Sequence, residues 1–222
     1  MSPASPYPLE LQGVSCLLGS GERAVIALDE VSLTVSPGEL VAVMGPSGSG
    51  KSTLIHVAGL LRPPTSGRVL LDGADVSRLT RARAAEARRR RIGLVFQNCN
   101  LVPTLTLAEN VALPLELDNV PSVGIEEALI RVGLEGMGGR FPDEVSDGQA
   151  QLAAIARALI GPRTVLLADE PTGDLDQTTG NQVLSTLRRC VDAGGAGLLV
   201  THDPEVADWA HRVVRMRDGR LL

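Results

Sequence analysis

A short apolar run, Leu40-Val41-Ala42-Val43-Met44, leads into Gly45-Pro46-Ser47-Gly48-Ser49-Gly50-Lys51-Ser52. The octapeptide fits G-x-x-x-x-G-K-S, and residues 53–61 after it predict a helix that Arg62-Pro63-Pro64 would end. Strand, glycine loop and helix in that order make a phosphate cradle. Glycines let backbone N–H groups turn inward around phosphate oxygens, and the helix N-terminus adds partial positive charge. The candidate nucleotide-binding residues are therefore Gly45, Pro46, Ser47, Gly48, Ser49, Gly50, Lys51, Ser52 and Thr53. In such a loop Lys51 would reach the β- and γ-phosphates, and the Ser52 hydroxyl would ligate magnesium. Lys51 is the only lysine of the chain, which elsewhere uses arginine; a compact ammonium is needed where a planar guanidinium does not fit. The motif implies a nucleoside triphosphate without saying what its energy is used for.

Strand-like and helix-like segments alternate around this loop, which predicts an α/β domain with a largely parallel central sheet. Residues 69–71, followed by Asp72-Gly73, read as a strand and turn, and 92–96, 165–168 and 197–200 read as further strands. The segment 165–168 is apolar throughout, as a strand covered on both faces must be. Residues 213–222 read as a closing hairpin around Asp218-Gly219. The middle, about 101–160, carries no good strand but two helical stretches, 124–132 and 149–160, and reads as a helical lobe inserted between sheet strands. The arginine-rich run 81–91 is interleaved with Ala and Glu, as in a solvated helix rather than a polyanion site.

The strand 165–168 ends in Asp169-Glu170. Acids at the C-terminal end of a parallel strand stand where such sheets bind ligands. Asp169 is placed to hold magnesium and Glu170 to polarise an attacking water. The guanine-reading motif Asn-Lys-x-Asp is absent, since the single lysine is already used.

Composition narrows the partners. With net charge −5 and 2% aromatic residues, the chain lacks both the basic bias and the stacking platforms of a nucleic-acid binder. The three cysteines, Cys16, Cys99 and Cys190, show no paired or metal-ligand spacing and are expected to be reduced thiols. No apolar run approaches the ~18 residues of a membrane span. Residues 1–7 lack the charged and apolar regions of a signal peptide. A cytoplasmic chain that reaches the membrane through a partner is the resulting expectation.

The remaining motifs resemble, in order and over nearly the whole chain, the ATP-binding-cassette family. Phe96-Gln97 looks like its glutamine loop, and Val145-Ser146-Asp147-Gly148-Gln149 resembles its L-S-G-G-Q signature, followed by the helix Ala154-Ile155-Ala156-Arg157-Ala158-Leu159. Asp169-Glu170-Pro171-Thr172 leads into a D-loop-like Gly173-Asp174-Leu175-Asp176, and Thr201-His202-Asp203 resembles the switch histidine. The resemblance implies a single domain over 1–222 with a RecA-like core, an N-terminal antiparallel β subdomain and the helical lobe at about 101–160. It implies ATP and Mg2+ as ligands and two cassettes, identical or different, closing head to tail around two ATP molecules. Gln97 would then sense the γ-phosphate and the metal, Glu170 activate water and His202 stabilise transition-state charge. Ser146, Asp147, Gly148 and Gln149 would meet the ATP of the partner subunit. An integral-membrane permease would be driven by the pair at the inner face of the membrane. Asn100-Leu101-Val102-Pro103-Thr104-Leu105-Thr106, Glu109-Asn110-Val111-Ala112-Leu113-Pro114 and the run from Glu170 to Asp176 are similar to the lipoprotein-release, macrolide- and peptide-export and cell-division group. That likeness leaves two outputs open, transport and a regulatory switch on a membrane protein.

The sequence departs from the family pattern in several places. Asp147 replaces a signature glycine. Facing a γ-phosphate at about 4 Å it would cost roughly 4 kcal/mol at an effective dielectric of about 20; alternatively it caps the following helix, where an anion is favoured. Leu152 stands where Arg is usual and Ala150 where Gln or Glu is common, which points to a weak ATPase or to pairing with a second, different one. Leu18 occupies the place of the usual adenine-stacking tyrosine, so weak adenine discrimination is expected. The lobe also looks short across 118–124.

Overall fold

The computed structural model describes residues 7–21 and 24–222. Residues 1–6 of the segment read for a signal peptide lie outside the described residues. The chain is an α/β fold with two sheets. Strands β1 (Leu9–Leu18), β2 (Val25–Val35), β4 (Ser66–Leu71) and β5 (Ala74–Asp75) form an antiparallel sheet in the order β2-β1-β4-β5. The second sheet has the order β10-β9-β3-β8-β7-β6. It is built from β3 (Leu40–Met44), β6 (Ile92–Phe96), β7 (Val165–Asp169), β8 (Ala196–Thr201), β9 (Arg212–Arg217) and β10 (Arg220–Leu221). All its pairings are parallel except the hairpin β9–β10, which turns at Asp218 and Gly219, both at positive φ.

Period-2 alternation divides the core into two layers. Val41, Val43, Val165, Leu167, Leu198 and Val200 point to one face of the parallel sheet, where helix α1 (Lys51–Ala58) and the antiparallel sheet cover them. Leu40, Ala42, Leu166, Ala168 and Leu199 point to the other face. There they meet α3 (Leu107–Leu117), α4 (Ile125–Arg131), α5 (Asp147–Leu159) and α6 (Gln177–Asp192). Each fully buried Leu or Val of these layers stabilises the fold by about 1.5–3 kcal/mol. Helix α6 buries Gly180, Val183, Leu184, Leu187 and Val191, one stripe at helical spacing. Helix α2 (Arg81–Arg91) has no buried residue and is a solvated helix, tied down by Arg89 to Asp118 at 2.7 Å and Arg91 to Asp72 at 2.6 Å.

The helix expected over 53–61 runs instead over Lys51–Ala58. It starts at Gly50, whose φ of 108° sets the N-cap, and stops before Leu60 turns left-handed at φ 56°, ahead of the prolines. The middle of the chain holds a helix that the reading missed, α3, because Pro114 breaks its pattern. The helix forms nonetheless because Thr106 and Glu109 make a reciprocal capping box at its start. No helix spans 118–124.

Asn110 organises the loop before α3. It is fully buried; its Oδ1 accepts from Val102 N at 2.7 Å, and its Nδ2 donates to the carbonyls of Val102, Leu105 and Thr106 at 3.0–3.1 Å. Asn110→Ala would strand these buried groups. Unfolding free energy should fall by about 2 kcal/mol and Tm by about 4–8 °C. A Tm unchanged in a thermal scan would contradict this account of the loop.

Candidate functional site

The loop 45–50 joins β3 to α1 beneath the β9–β10 hairpin. The fit allows no side chain at two of its glycines. A Cβ on Gly45 would lie 2.2 Å from the Met216 carbonyl oxygen, and one on Gly50 would lie 2.3 Å from that of Ala27. Gly219 N donates to Ser49 O at 2.9 Å, closing the hairpin over the loop. Lys51 is nearly buried and folds back over the loop, donating from Nζ to the carbonyls of Gly45 at 2.8 Å and Pro46 at 3.1 Å. The hydroxyl of Ser49 is buried and has no partner among the described residues.

The loop is one wall of a cleft of about 1250 Å³. Opposite it, Gln97, Glu170 and His202 come from the ends of three neighbouring strands, β6, β7 and β8. Glu170 has φ 45°, a conformation that costs a non-glycine residue of the order of 1–3 kcal/mol. Its N–H donates to Val200 O at 3.0 Å and its carbonyl accepts from Gly173 N at 3.1 Å. Both carboxylate oxygens are engaged: Oε2 accepts from Thr201 Oγ1 at 2.9 Å and Oε1 lies 2.7 Å from His202 Nδ1. His202 is itself open to solvent, with a side chain 68% exposed against 18% for Glu170. A carboxylate locked on its inner side by a threonine and on its outer side by a histidine is suited to proton handling at the cleft.

Ser52 Oγ lies 3.4 Å from Asp169 Oδ1. Burial raises the Asp169 carboxyl above its ordinary range, and the Ser52 hydrogen bond pulls it back down. Gln97 does not reach these two. Its Nε2 donates to both carboxylate oxygens of Asp174 at 3.1 Å, tying the end of β6 to the loop after β7. Asp174, Leu175 and Asp176 lie outside the cleft lining. Asp176 is the N-cap of α6, accepting from the N–H groups of Thr178 and Thr179. The Thr179 hydroxyl, donating to Asp176 Oδ2 at 2.6 Å, is the main cause holding that carboxyl below its ordinary range.

Ser146, Asp147, Gly148 and Gln149 do not line the cleft either. Ser146, not Asp147, caps α5: its Oγ accepts from Gln149 N at 3.3 Å, and Gln149 Oε1 accepts from Ser146 N at 3.0 Å. Asp147 is the first helical residue, where the helix dipole favours its charge by about 0.3–1 kcal/mol, but it closes no cap. A Cβ on Gly148 would meet Thr179 Cγ2 at 2.0 Å, so that glycine seats α5 against the start of α6. Leu152 is 2% exposed in the core, and its departure from Arg is therefore an inward-facing one.

The outer part of the cleft is lined by residues the motifs did not reveal, namely Val25, Ile26, Arg215, Arg217 and Leu222, beside Leu18. Val25 and Ile26 are 62% and 57% exposed. None of the chain's aromatic residues lines the cleft. Two exposed apolar residues in a strand flanking the loop were the signal available for this shelf.

The family model described as ABC transporter matches residues 28–173. The chain is 42% identical, over 96% of its length and 95% of the other, to the lipoprotein-releasing system ATP-binding protein LolD of Bordetella avium. It is 46% identical over 95% of its length to the macrolide export ATP-binding/permease protein MacB of Syntrophobacter fumaroxidans, of which it spans 30%. Among solved structures it is similar to the dimeric ATP-binding cassette MJ0796 in a post-hydrolysis state bound to ADP and Pi, with a TM-score of 0.87, 37% identity and 96% of each chain covered. A phosphate loop facing a paired carboxylate and histidine, in a fold shared with such a cassette, makes this chain an ABC-type ATPase belonging to the ABC transporter family.

Proposed function

We propose that the chain is the motor of a transporter in the lipoprotein-release and macrolide- or peptide-export class, driving an integral-membrane permease from the inner face of the membrane. The observation that carries this reading is the Glu170–His202 pair at 2.7 Å on the wall of the cleft that the Lys51 loop closes. The identities to LolD and to MacB, each above 40%, support the class of cargo system.

Lys51 releases the Gly45 and Pro46 carbonyls and turns its ammonium to the β- and γ-phosphates of ATP, which offer it stronger acceptors. Ser52 and Asp169, 3.4 Å apart, offer hard oxygens that would hold magnesium beside the cleft, and the Gln97 side-chain carbonyl would complete the set once its amide leaves Asp174. Magnesium, when bound, neutralises the charge that develops on the phosphate oxygens. Glu170 takes the proton of the attacking water, and His202, held through Nδ1, places its other ring nitrogen for the transition-state charge. The aliphatic shelf of Leu18, Val25 and Ile26 holds the base without stacking, which supports weak base selectivity.

Ser146 to Gln149 lie outside this cleft, so in this reading they act on the ATP of a second cassette, with Asp174, Leu175 and Asp176 at the seam. The described chain is one domain, with 101–160 as an inserted lobe on the RecA-like core. Leu117, Val120, Val123 and Phe141 of that lobe are exposed, which supports it as the surface that meets the permease. A second reading, a weakly hydrolysing member of an unequal pair, is favoured by Asp147. A carboxylate about 4 Å from a γ-phosphate would lose roughly 4 kcal/mol, more than the helix dipole returns.

Phosphate release from ATP tests the motor reading. Glu170→Gln should lower kcat by about 10²-fold or more with nucleotide binding retained, and full turnover in this variant would overturn the assignment. Asp147→Gly discriminates the second reading. A rate increase of about tenfold or more identifies Asp147 as a brake on closure, whereas an unchanged rate eliminates the repulsion.

A further inference from the structure

Gln151 is 1% exposed in the middle of α5, among residues that are otherwise apolar or small. Its Nε2 donates to two main-chain carbonyls, Phe96 O at 2.9 Å and Pro171 O at 2.9 Å. Phe96 is the last residue of β6 and precedes Gln97, and Pro171 follows Glu170. One carboxamide thus joins the loops that carry Gln97 and Glu170 to the helix that starts at Ser146–Asp147. Its own Oε1 is buried without a partner among the described residues. An unmet buried acceptor is a cost that an apolar residue of similar volume would avoid. The two donated bonds are what that apolar residue would lose.

The two loops also touch each other directly. Gln97 Nε2 meets Asp174, and the Gly173 Cα faces the Gln97 side chain so closely that a Cβ there would sit 3.0 Å from Gln97 Cδ. Gln151 braces that contact from the core side. Without it, past the last paired residues Phe96 and Asp169, the contact between the two loops would rest on the exposed Gln97–Asp174 bonds.

We propose that Gln151 is a positioning residue for hydrolysis: its carboxamide holds Gln97 and Glu170 at a fixed spacing and makes both follow any movement of α5. The proposal rests on the motor reading above, and it gives a contact at Ser146–Gln149 a physical route through α5 to the loops of Gln97 and Glu170. Substrate binding depends mainly on the Lys51 loop, which Gln151 does not touch, so the effect falls on turnover rather than affinity.

The experiment measures kcat, KM, nucleotide affinity and thermal unfolding for the full chain, Gln151→Leu, Gln97→Ala and the double variant, using ATP with magnesium. Gln151→Leu should lower kcat by about 10²-fold while KM and affinity stay within about threefold. On the Gln97→Ala background the same change should cost clearly less than in the wild-type chain, because one of the two groups it positions is gone. An unchanged kcat, a loss that merely follows the folded fraction, or full additivity with Gln97→Ala would overturn the proposal. Gln151→Met replaces Gln151→Leu if the latter does not fold, and unfolding of both would make the role structural and overturn it as well. Failure of the wild-type chain to hydrolyse ATP would instead overturn the motor reading.

Discussion

Parallel pairing in register is the constraint from which the site follows. Phe96 pairs with Asp169, Asp169 with Val200, and Val43 with Val200, so the strands β6, β7, β8 and β3 end at one level. The residues that come next in the chain, Gln97, Glu170, His202 and the loop from Gly45, are delivered to one edge of the sheet although they are far apart in sequence. A one-residue slip of any strand would turn its alternating apolar residues from one core layer to the other. The two layers therefore enforce the register, and the register assembles the site.

Legibility followed the same physics. The strands of the parallel sheet were visible because burial on both faces demands a nearly continuous apolar run, as in Val165-Leu166-Leu167-Ala168. The glycine loop was visible because its close approach to Met216 and Ala27 tolerates few residue types. Helix α3 was not, since a proline within it outweighs a capping box in any local reading. Of the two roles open for Asp147, the cap falls to Ser146, one residue earlier, whose hydroxyl accepts from Gln149 N. Gln151 was invisible for a different reason. Its partners are main-chain carbonyls, which leave no trace in side-chain spacing.

The geometry also explains why one chain looks unfinished. Glu170, His202 and the Lys51 loop share a cleft, while the capped end of α5 stands apart from it. Ser146 Oγ and Gln149 Oε1 accept within the capping box, which leaves the Ser146 O–H, the Gln149 Nε2 and the helix terminus itself to attract an anion. The Asp147 carboxylate opposes that attraction at the first helical position.

The central claim is that turnover needs two cassettes. It is tested most directly by measuring the ATP hydrolysis rate per chain across about a hundredfold dilution, with the mass in solution followed by light scattering under the same conditions. The account predicts a rate per chain that rises with concentration to a plateau, reached where ATP-loaded dimers form. A constant rate per chain in a sample that stays monomeric throughout would contradict it.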